Sequence, residues 1–350
     1  MWLTVALAFS LAFGVSLFLT PLLIKLAPRL GAVDLPGHRK IHQQAMPCIG
    51  GVAIYLAFTA GILASGPPWP QTGALLLGGL VILAVGLVDD LRDLSPYLKL
   101  AGQVAAALIV AACGFRVDFI THPFGQGVIS LGVLAIPVTV FWIVSVTNAV
   151  NLIDGLDGLA AGVSSLAAVV LGIVAWREGQ PLVGLWSFIL AGSAAGFLRY
   201  NFHPARIFMG DSGAMFLGYC LAVFALQGLT KSTTAYSLII PFVILGIPLL
   251  DTFFAVVRRL ASGTPIFRAD RDHLHHRLLA IGLSHRQTVL VIYGISALYG
   301  ASAIALTCLT TPQAFIILGL LTFATIAGAG GLGIFSIDQT RSQAGRSRHL

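Results

Sequence analysis

The chain has 350 residues, of which 57% are hydrophobic and only 9% charged, with 20 Lys and Arg against 13 Asp and Glu. A mean hydropathy of +0.93, carried by apolar runs that recur along the whole length, excludes a soluble domain around one core and describes an integral membrane protein. The net charge of +7 does not indicate nucleic acid, because the basic residues collect in short loops between apolar spans.

Eleven helical spans are predicted, near residues 2–24, 50–65, 72–88, 99–114, 130–148, 158–176, 183–198, 212–229, 235–256, 288–308 and 313–336. Several sit at the short end of the ~17 to 25 residues that cross a bilayer. The fold class expected is therefore all-α, a polytopic membrane bundle of about 10 or 11 transmembrane helices. The first 27 residues lack a basic leading region and a small-residue cleavage pattern, which reads as a retained first helix. No linker or large polar block interrupts the pattern. Residues 1–350 are expected to form one polytopic domain, with 337–350 as a basic cytoplasmic tail. Cys48, Cys113, Cys220 and Cys308 are scattered without CxxC spacing and imply neither disulfides nor zinc.

With the N-terminus outside, 17 of the 20 Lys and Arg fall in loops on one face, leaving Arg116, Arg177 and Lys231 for the other. The positive-inside rule makes the first face cytoplasmic. The same face carries nearly all the acids and most of the histidines. A purely structural membrane protein has no need of that concentration, so the chemistry is expected there.

Taken in chain order, the polar clusters begin with Asp34 to Gly51, a basic turn with a Gly-Gly step into the second helix. Asp89 and Asp90 end the third helix, where the macrodipole disfavours anions by a few tenths to ~1 kcal/mol, so a cation such as Arg92 or Lys99 should offset them. Adjacent acids on a helix point apart, so one carboxylate can face reacting groups while the other holds a basic partner. In Asn148-x-x-Asn151-x-x-Asp154-Gly-x-Asp157-Gly, Asp154 and Asp157 share a face if the segment is a helical turn. N-capping of the sixth helix would explain Asp157 but not Asn148, Asn151 and Asp154. Such hard oxygen donors suit Mg2+. Phe208-Met-Gly-Asp211 leads into the eighth helix. Asp211 can cap it, Gly210 and the helix N-terminus suit a phosphate, and an exposed Phe208 can stack on a planar ligand. The longest loop holds Arg268, His273, His275 and His276, with Arg271 and Arg277 nearby. No Cys, Glu or HExxH motif completes a zinc site there, whereas basic groups opposite metal-binding acids fit a polyphosphate. Asp251 is the main acid placed inside a span. It either lines the cleft or pairs with Arg258.

With these segments in this order, the chain resembles the polyprenyl-phosphate N-acetylhexosamine-1-phosphate transferases. The resemblance rests on Asp89-Asp90 with Lys99, the Asn148 to Gly158 motif, Phe208 to Asp211, and His273-Leu-His275-His276. It implies transfer of a sugar phosphate from a UDP-N-acetylhexosamine to a polyprenyl phosphate such as undecaprenyl phosphate in the lipid membrane, with release of UMP. It further implies Mg2+, with Mn2+ as a substitute, held by Asn151 and Asp211. Asp154, Asp157 and Phe208 would hold nucleotide and sugar, with Phe208 on uracil, and Asn148, Arg268, His273, His275 and His276 are expected among the substrate-binding residues. Lys99 would receive the lipid phosphate. Asp89 would deprotonate or orient it, with Asp90 in support. Direct attack on the sugar-bearing phosphorus is favoured and an aspartyl intermediate is the alternative.

Two departures bear on the branch. Enzymes that use the muramoyl-pentapeptide nucleotide show Thr-Pro-Thr-Met-Gly-Gly and Pro-His-His-His, where this chain has Met46-Pro-Cys-Ile-Gly-Gly51 and His273-Leu-His-His276. That favours GlcNAc-1-phosphate transfer, initiating a teichoic acid, O-antigen or other surface glycan, with the phospho-N-acetylmuramoyl-pentapeptide transferase as alternative. A secondary transporter is the alternative from another class, but transporters place their ionisable groups at the midplane of repeated halves. The expected site is the inner (plasma) membrane, and a homodimer is left open.

Overall fold

A computed structural model describes residues 2–35, 45–66, 71–121, 127–229, 239–261, 263 and 273–331. Its helices are α1 (Trp2–Leu26), α2 (Gly50–Ser65), α3 (Gln71–Arg92), α4 (Pro96–Ala112), α5 (Ala135–Leu152), α6 (Leu159–Arg177), α7 (Pro181–Asn201), α8 (Gly210–Leu229), α9 (Ile239–Ile244), α10 (Gly246–Ala261), α11 (Leu274–Ala280), α12 (His285–Leu306) and α13 (Thr311–Gly331). Among the described residues, strands are confined to two small antiparallel pairs, β1 (Val33–Asp34) with β2 (Met46–Pro47) and β3 (Phe119–Thr121) with β4 (Val128–Ser130). The chain is an all-α, multi-pass membrane protein. Seven described helices are long and apolar enough to cross a bilayer, and α2 and α4 are shorter apolar helices. In lipid a helix satisfies its own backbone, which is why apolar runs alone locate most of these elements.

The bundle is organised around α8, which is buried along nearly its whole length and packs against α2, α3, α5, α6 and α7. Tyr219, Phe216 and Phe224 of α8 are fully buried, and Phe58 of α2 and Trp186 of α7 pack their rings, tilted or edge-on, against α8 phenylalanines. On the outer side, α1 leans on α2 and α7, while α13 touches α12 and exposes Phe315, Leu320 and Phe323. Those exposed apolar faces are the lipid-facing surface of a membrane bundle.

Two local differences from the predicted spans have simple causes. The described part of the predicted span 235–256, from residue 239 on, is two helices, α9 and α10, that break at Leu245. Pro248 has no N–H to return to the carbonyl of Ile244, and Gly246 beside it adds backbone freedom, so the helical ladder stops there. Residues 149–152, predicted as loop, complete the last turn of α5, so Asn148 and Asn151 are helical. The predicted tail lies outside the described residues.

Candidate active site

Close backbone approach builds the centre of the site. A Cβ on Gly51 of α2 would overlap the backbone of Gly213, and one on Gly86 of α3 would overlap that of Ser212. Both helices therefore reach the first turn of α8 with nothing between. Gly210 opens that turn at φ +71°, and any side chain there would collide with the Asp90 carboxylate and the Cys48 carbonyl. Asp90, arriving from α3, fills the place of an N-cap. Its Oδ1 accepts from the backbone N–H of Asp211 at 2.7 Å and its Oδ2 from that of Ser212 at 3.2 Å. The two N–H groups are orphan donors at the positive end of α8, so a carboxylate suits them on both counts. Asp211 itself lies inside the first turn of α8 instead of capping it.

Asp89, the other acid of the pair, has different partners. Its Oδ1 accepts from Leu94 N–H at 2.8 Å and its Oδ2 takes the Lys99 ammonium at 3.0 Å. Ser95 caps α4 and Pro96 occupies its first position, which starts the helix where Lys99 reaches back to Asp89. Lys99 Nζ also binds Asp211 Oδ2. In the amide orientation its neighbours require, Asn151 accepts from Lys99 at 3.1 Å and donates to Asp211 Oδ1 at 3.0 Å. One ammonium is thus gathered by oxygens from α3, α5 and α8. Asn148, one turn earlier on α5, exchanges two hydrogen bonds with Gln103 of α4, at 2.7 and 3.3 Å.

Residues 153–158 form a turn, so Asp154 and Asp157 do not share a helical face. Burial, followed by the charges of Asp211, Asp90 and Asp157, pushes the Asp154 carboxyl up to about 8. Asp157 does not cap α6; that position is Gly158, without a side-chain bond. Asp157 Oδ2 instead meets His203 Nδ1 at 2.8 Å and the Ala205 N–H at 3.1 Å. His285 completes a trio of metal-type ligands with them. The two imidazoles stack at 4.1 Å and 19°, so a single ion cannot lie in both ring planes, and the trio reads as a brace between loops. Phe208 is half-buried instead of exposed. Its N–H donates to Pro47 and its carbonyl accepts from Gly50, strapping the loop before α8 to the turn before α2.

The histidines gather at the other side of the same space. His273 precedes α11 while His275 and His276 lie on it, and His273 and His275 are almost fully buried. Asp251 of α10 neither pairs with Arg258 nor faces the cleft. It accepts from His273 Nδ1 and from the Leu274 N–H, each at 2.8 Å. His275 rests on Gly155, where a Cβ would collide with its Nε2. Burial pushes its imidazole down to about 3, so it is neutral. Arg268 lies outside the described residues.

These groups line one end of a groove of about 1670 Å³. Asp89, Lys99, Asn148, Asn151, Gly155 and the three histidines form its polar end; Phe141, Phe242, Phe253, Leu318, Leu321 and Ile326 continue it as an apolar trough. Asp211 reaches it through Lys99, whereas Asp90, Asp154, Asp157 and Phe208 do not line it. Sequence reasoning missed Gln103, His203 and His285. His203 and His285 each have a polar neighbourhood but no motif spacing, and the polarity of Gln103 inside an apolar helix was the available signal.

Fold and site together define a membrane enzyme whose charged centre opens onto an apolar trough between membrane helices. The glycosyl transferase family 4 model matches residues 72–229, the stretch that contains Asp89, Lys99, Asn151 and Asp211. A probable undecaprenyl-phosphate N-acetylglucosaminyl 1-phosphate transferase of Bacillus subtilis (strain 168) is 44% identical over 325 residues, covering 92% of this chain and 90% of that protein. A decaprenyl-phosphate N-acetylglucosaminephosphotransferase of Mycobacterium leprae (strain TN) is 39% identical, covering 83% and 81%. An undecaprenyl-phosphate alpha-N-acetylglucosaminyl 1-phosphate transferase of Escherichia coli (strain K12) is 30% identical, covering 78% and 76%. The chain belongs to glycosyl transferase family 4, the polyprenyl-phosphate N-acetylhexosamine-1-phosphate transferases.

Proposed function

We propose that the protein transfers GlcNAc 1-phosphate from UDP-GlcNAc to undecaprenyl phosphate at the cytoplasmic face of the plasma membrane, in a Mg2+-dependent reaction that starts a lipid-linked surface glycan. The observation that carries this reading is the convergence of Asp89, Asn151 and Asp211 on one cation at the polar end of a long apolar trough. A polyprenyl chain matches the trough, and a phosphate at its head would arrive at Lys99. The names of the relatives support the transferred N-acetylglucosaminyl 1-phosphate and the undecaprenyl phosphate acceptor.

The same convergence is the test of fit for the metal. Three hard oxygen donors already hold an ammonium between them, the donor set that a magnesium ion takes alongside phosphate and water. Asp211 and Asn151 would hold the ion. When bound it neutralises charge on the nucleotide diphosphate. The chain's own residues do the rest. Lys99, tethered by Asp89, would orient the acceptor phosphate, and Asp89 is the residue proposed to take a proton from it. A phosphate oxygen of the lipid forms a bond to the sugar-bearing phosphorus while the bond to the UMP oxygen breaks, so the work is positioning and charge neutralisation. Asp90 holds the first turn of α8, and hence Asp211, in register.

The test is to incubate the purified full chain with undecaprenyl phosphate and a panel of UDP-sugars, with Mg2+, Mn2+ or EDTA. UMP release and a lipid-linked GlcNAc diphosphate are expected with UDP-GlcNAc, abolished by EDTA and restored by either metal. Preference for UDP-MurNAc-pentapeptide, or no UMP from any UDP-N-acetylhexosamine, would overturn the reading. Impermeant labelling of single cysteines placed beside Asp89 and Asp211 in cells is expected to fail from outside.

A further inference from the structure

Asp251 is an acid inside an apolar helix, 7% exposed. A buried carboxylate costs several kcal/mol unless it is paired and hydrogen-bonded, so its partners show what it is for. Among the described residues, its two hydrogen-bond partners lie in one short stretch. Oδ1 accepts from the backbone N–H of Leu274, the first residue of α11, and Oδ2 from His273 Nδ1. His273 stands at the N-cap position of α11 without a side-chain cap bond of its own, so α10 supplies the cap across the fold.

The second bond has a chemical consequence. A carboxylate only accepts, so it places the ring proton on Nδ1 and leaves Nε2 as the nitrogen on the far edge of the imidazole. His273 lines the polar end of the groove, so that far edge is the one available to a ligand there. The ring is 5% exposed, stacks parallel to His275 at 5.9 Å, and has little freedom to turn.

We propose that Asp251 is a positioning residue for the transfer reaction: from within α10 it sets the Nδ1-protonated form and the orientation of His273, so that the unprotonated Nε2 faces the groove as an acceptor for a hydroxyl or amide N–H of the nucleotide sugar. This rests on the functional reading above. Buried carboxylates that orient a histidine in this way act by holding its tautomer; loss of such a partner costs about 10- to 100-fold where the histidine only holds a ligand in place and about 10⁴-fold where it is itself the general base.

Asp251→Asn separates this role from simple capping. The amide oxygen can still accept from Leu274 N–H, which turns its NH2 toward His273 Nδ1 and moves the ring proton to Nε2. The 15N spectrum of histidine-labelled full-length protein in detergent is expected to show His273 protonated at Nδ1 in wild type and at Nε2 in Asp251→Asn. The value of kcat/KM should fall by about 10- to 100-fold, and Asp251→Asn/His273→Gln should be no slower than His273→Gln alone, because the two act as a unit. A wild-type spectrum with the proton on Nε2 would overturn the proposal without any variant. So would Asp251→Asn within twofold of wild type, or costs that multiply in the double variant. If wild type transfers no sugar phosphate, the functional reading has failed, and the spectrum still decides how Asp251 holds His273.

Discussion

Asp90→Ala tests whether the second acid of the pair belongs to the scaffold or to the chemistry. The substitution leaves two partly buried N–H groups at the start of α8 without the carboxylate that accepts from them. Hydrogen bonds to a charged group contribute ~1.5–3 kcal/mol each and loss of a helix cap typically costs ~0.5–2 kcal/mol. One of the two bonds is short and the other, at 3.2 Å, is long, so a loss of about 2–4 kcal/mol is expected. Asp90→Asn keeps one acceptor and sets its NH2 against the other N–H, which should cost roughly half as much or somewhat more. Turnover should fall with stability, because the turn that loosens is the one that carries Asp211. Denaturant titration in detergent, run beside UMP release on the same samples, reads both quantities. An Asp90→Ala protein within about 0.5 kcal/mol of wild type that has nonetheless lost turnover would refute the reasoning and put Asp90 among the reacting groups.

Three further outcomes are expected. Asp211→Ala or Asn151→Ala should lower turnover at least about a hundredfold, as removal of an electrostatic clamp worth several kcal/mol requires; activity lost with an unchanged Mg2+ requirement and unchanged nucleotide binding would contradict the metal role. Gly155→Ala should cost about 1–3 kcal/mol by overpacking against the His275 ring and should slow transfer by shifting α11, so a variant with wild-type melting and kinetics would mean the ring moves freely aside. Asp154, raised from about 4 to about 8, keeps its proton in the folded protein at pH values where the unfolded chain has released it. Its contribution to stability is therefore largest below pH 4 and declines as pH climbs to 8. Melting in metal-free buffer should show Asp154→Asn gaining on wild type between pH 5 and pH 8, and parallel curves would count against the shift.

Much of the architecture was legible in the sequence because lipid imposes a local rule. Each spanning segment must be apolar and must satisfy its own backbone, so most helices could be located from hydropathy without knowing their neighbours. The Asn and Asp spacing at 148–157, the Asp89-Asp90 pair and the Asp211 loop were legible for a similar reason, since charge in so apolar a chain stands out. The break at Leu245 had a local cause in Pro248, but the apolar run across it hid the signal. What the acids hold was decided by the tertiary structure alone. Asp89 and Asp90 are adjacent, yet one turns to Lys99 and the other to the backbone of α8, more than a hundred residues away. Asp157 finds His203, and Asp251 finds His273 instead of Arg258. A helix end places neighbouring side chains in different directions, and whichever donor the packing brings within about 3 Å takes the carboxylate. Glycines at 51 and 86 determine how close α2 and α3 come to α8, and no local pattern announces a distance between helices.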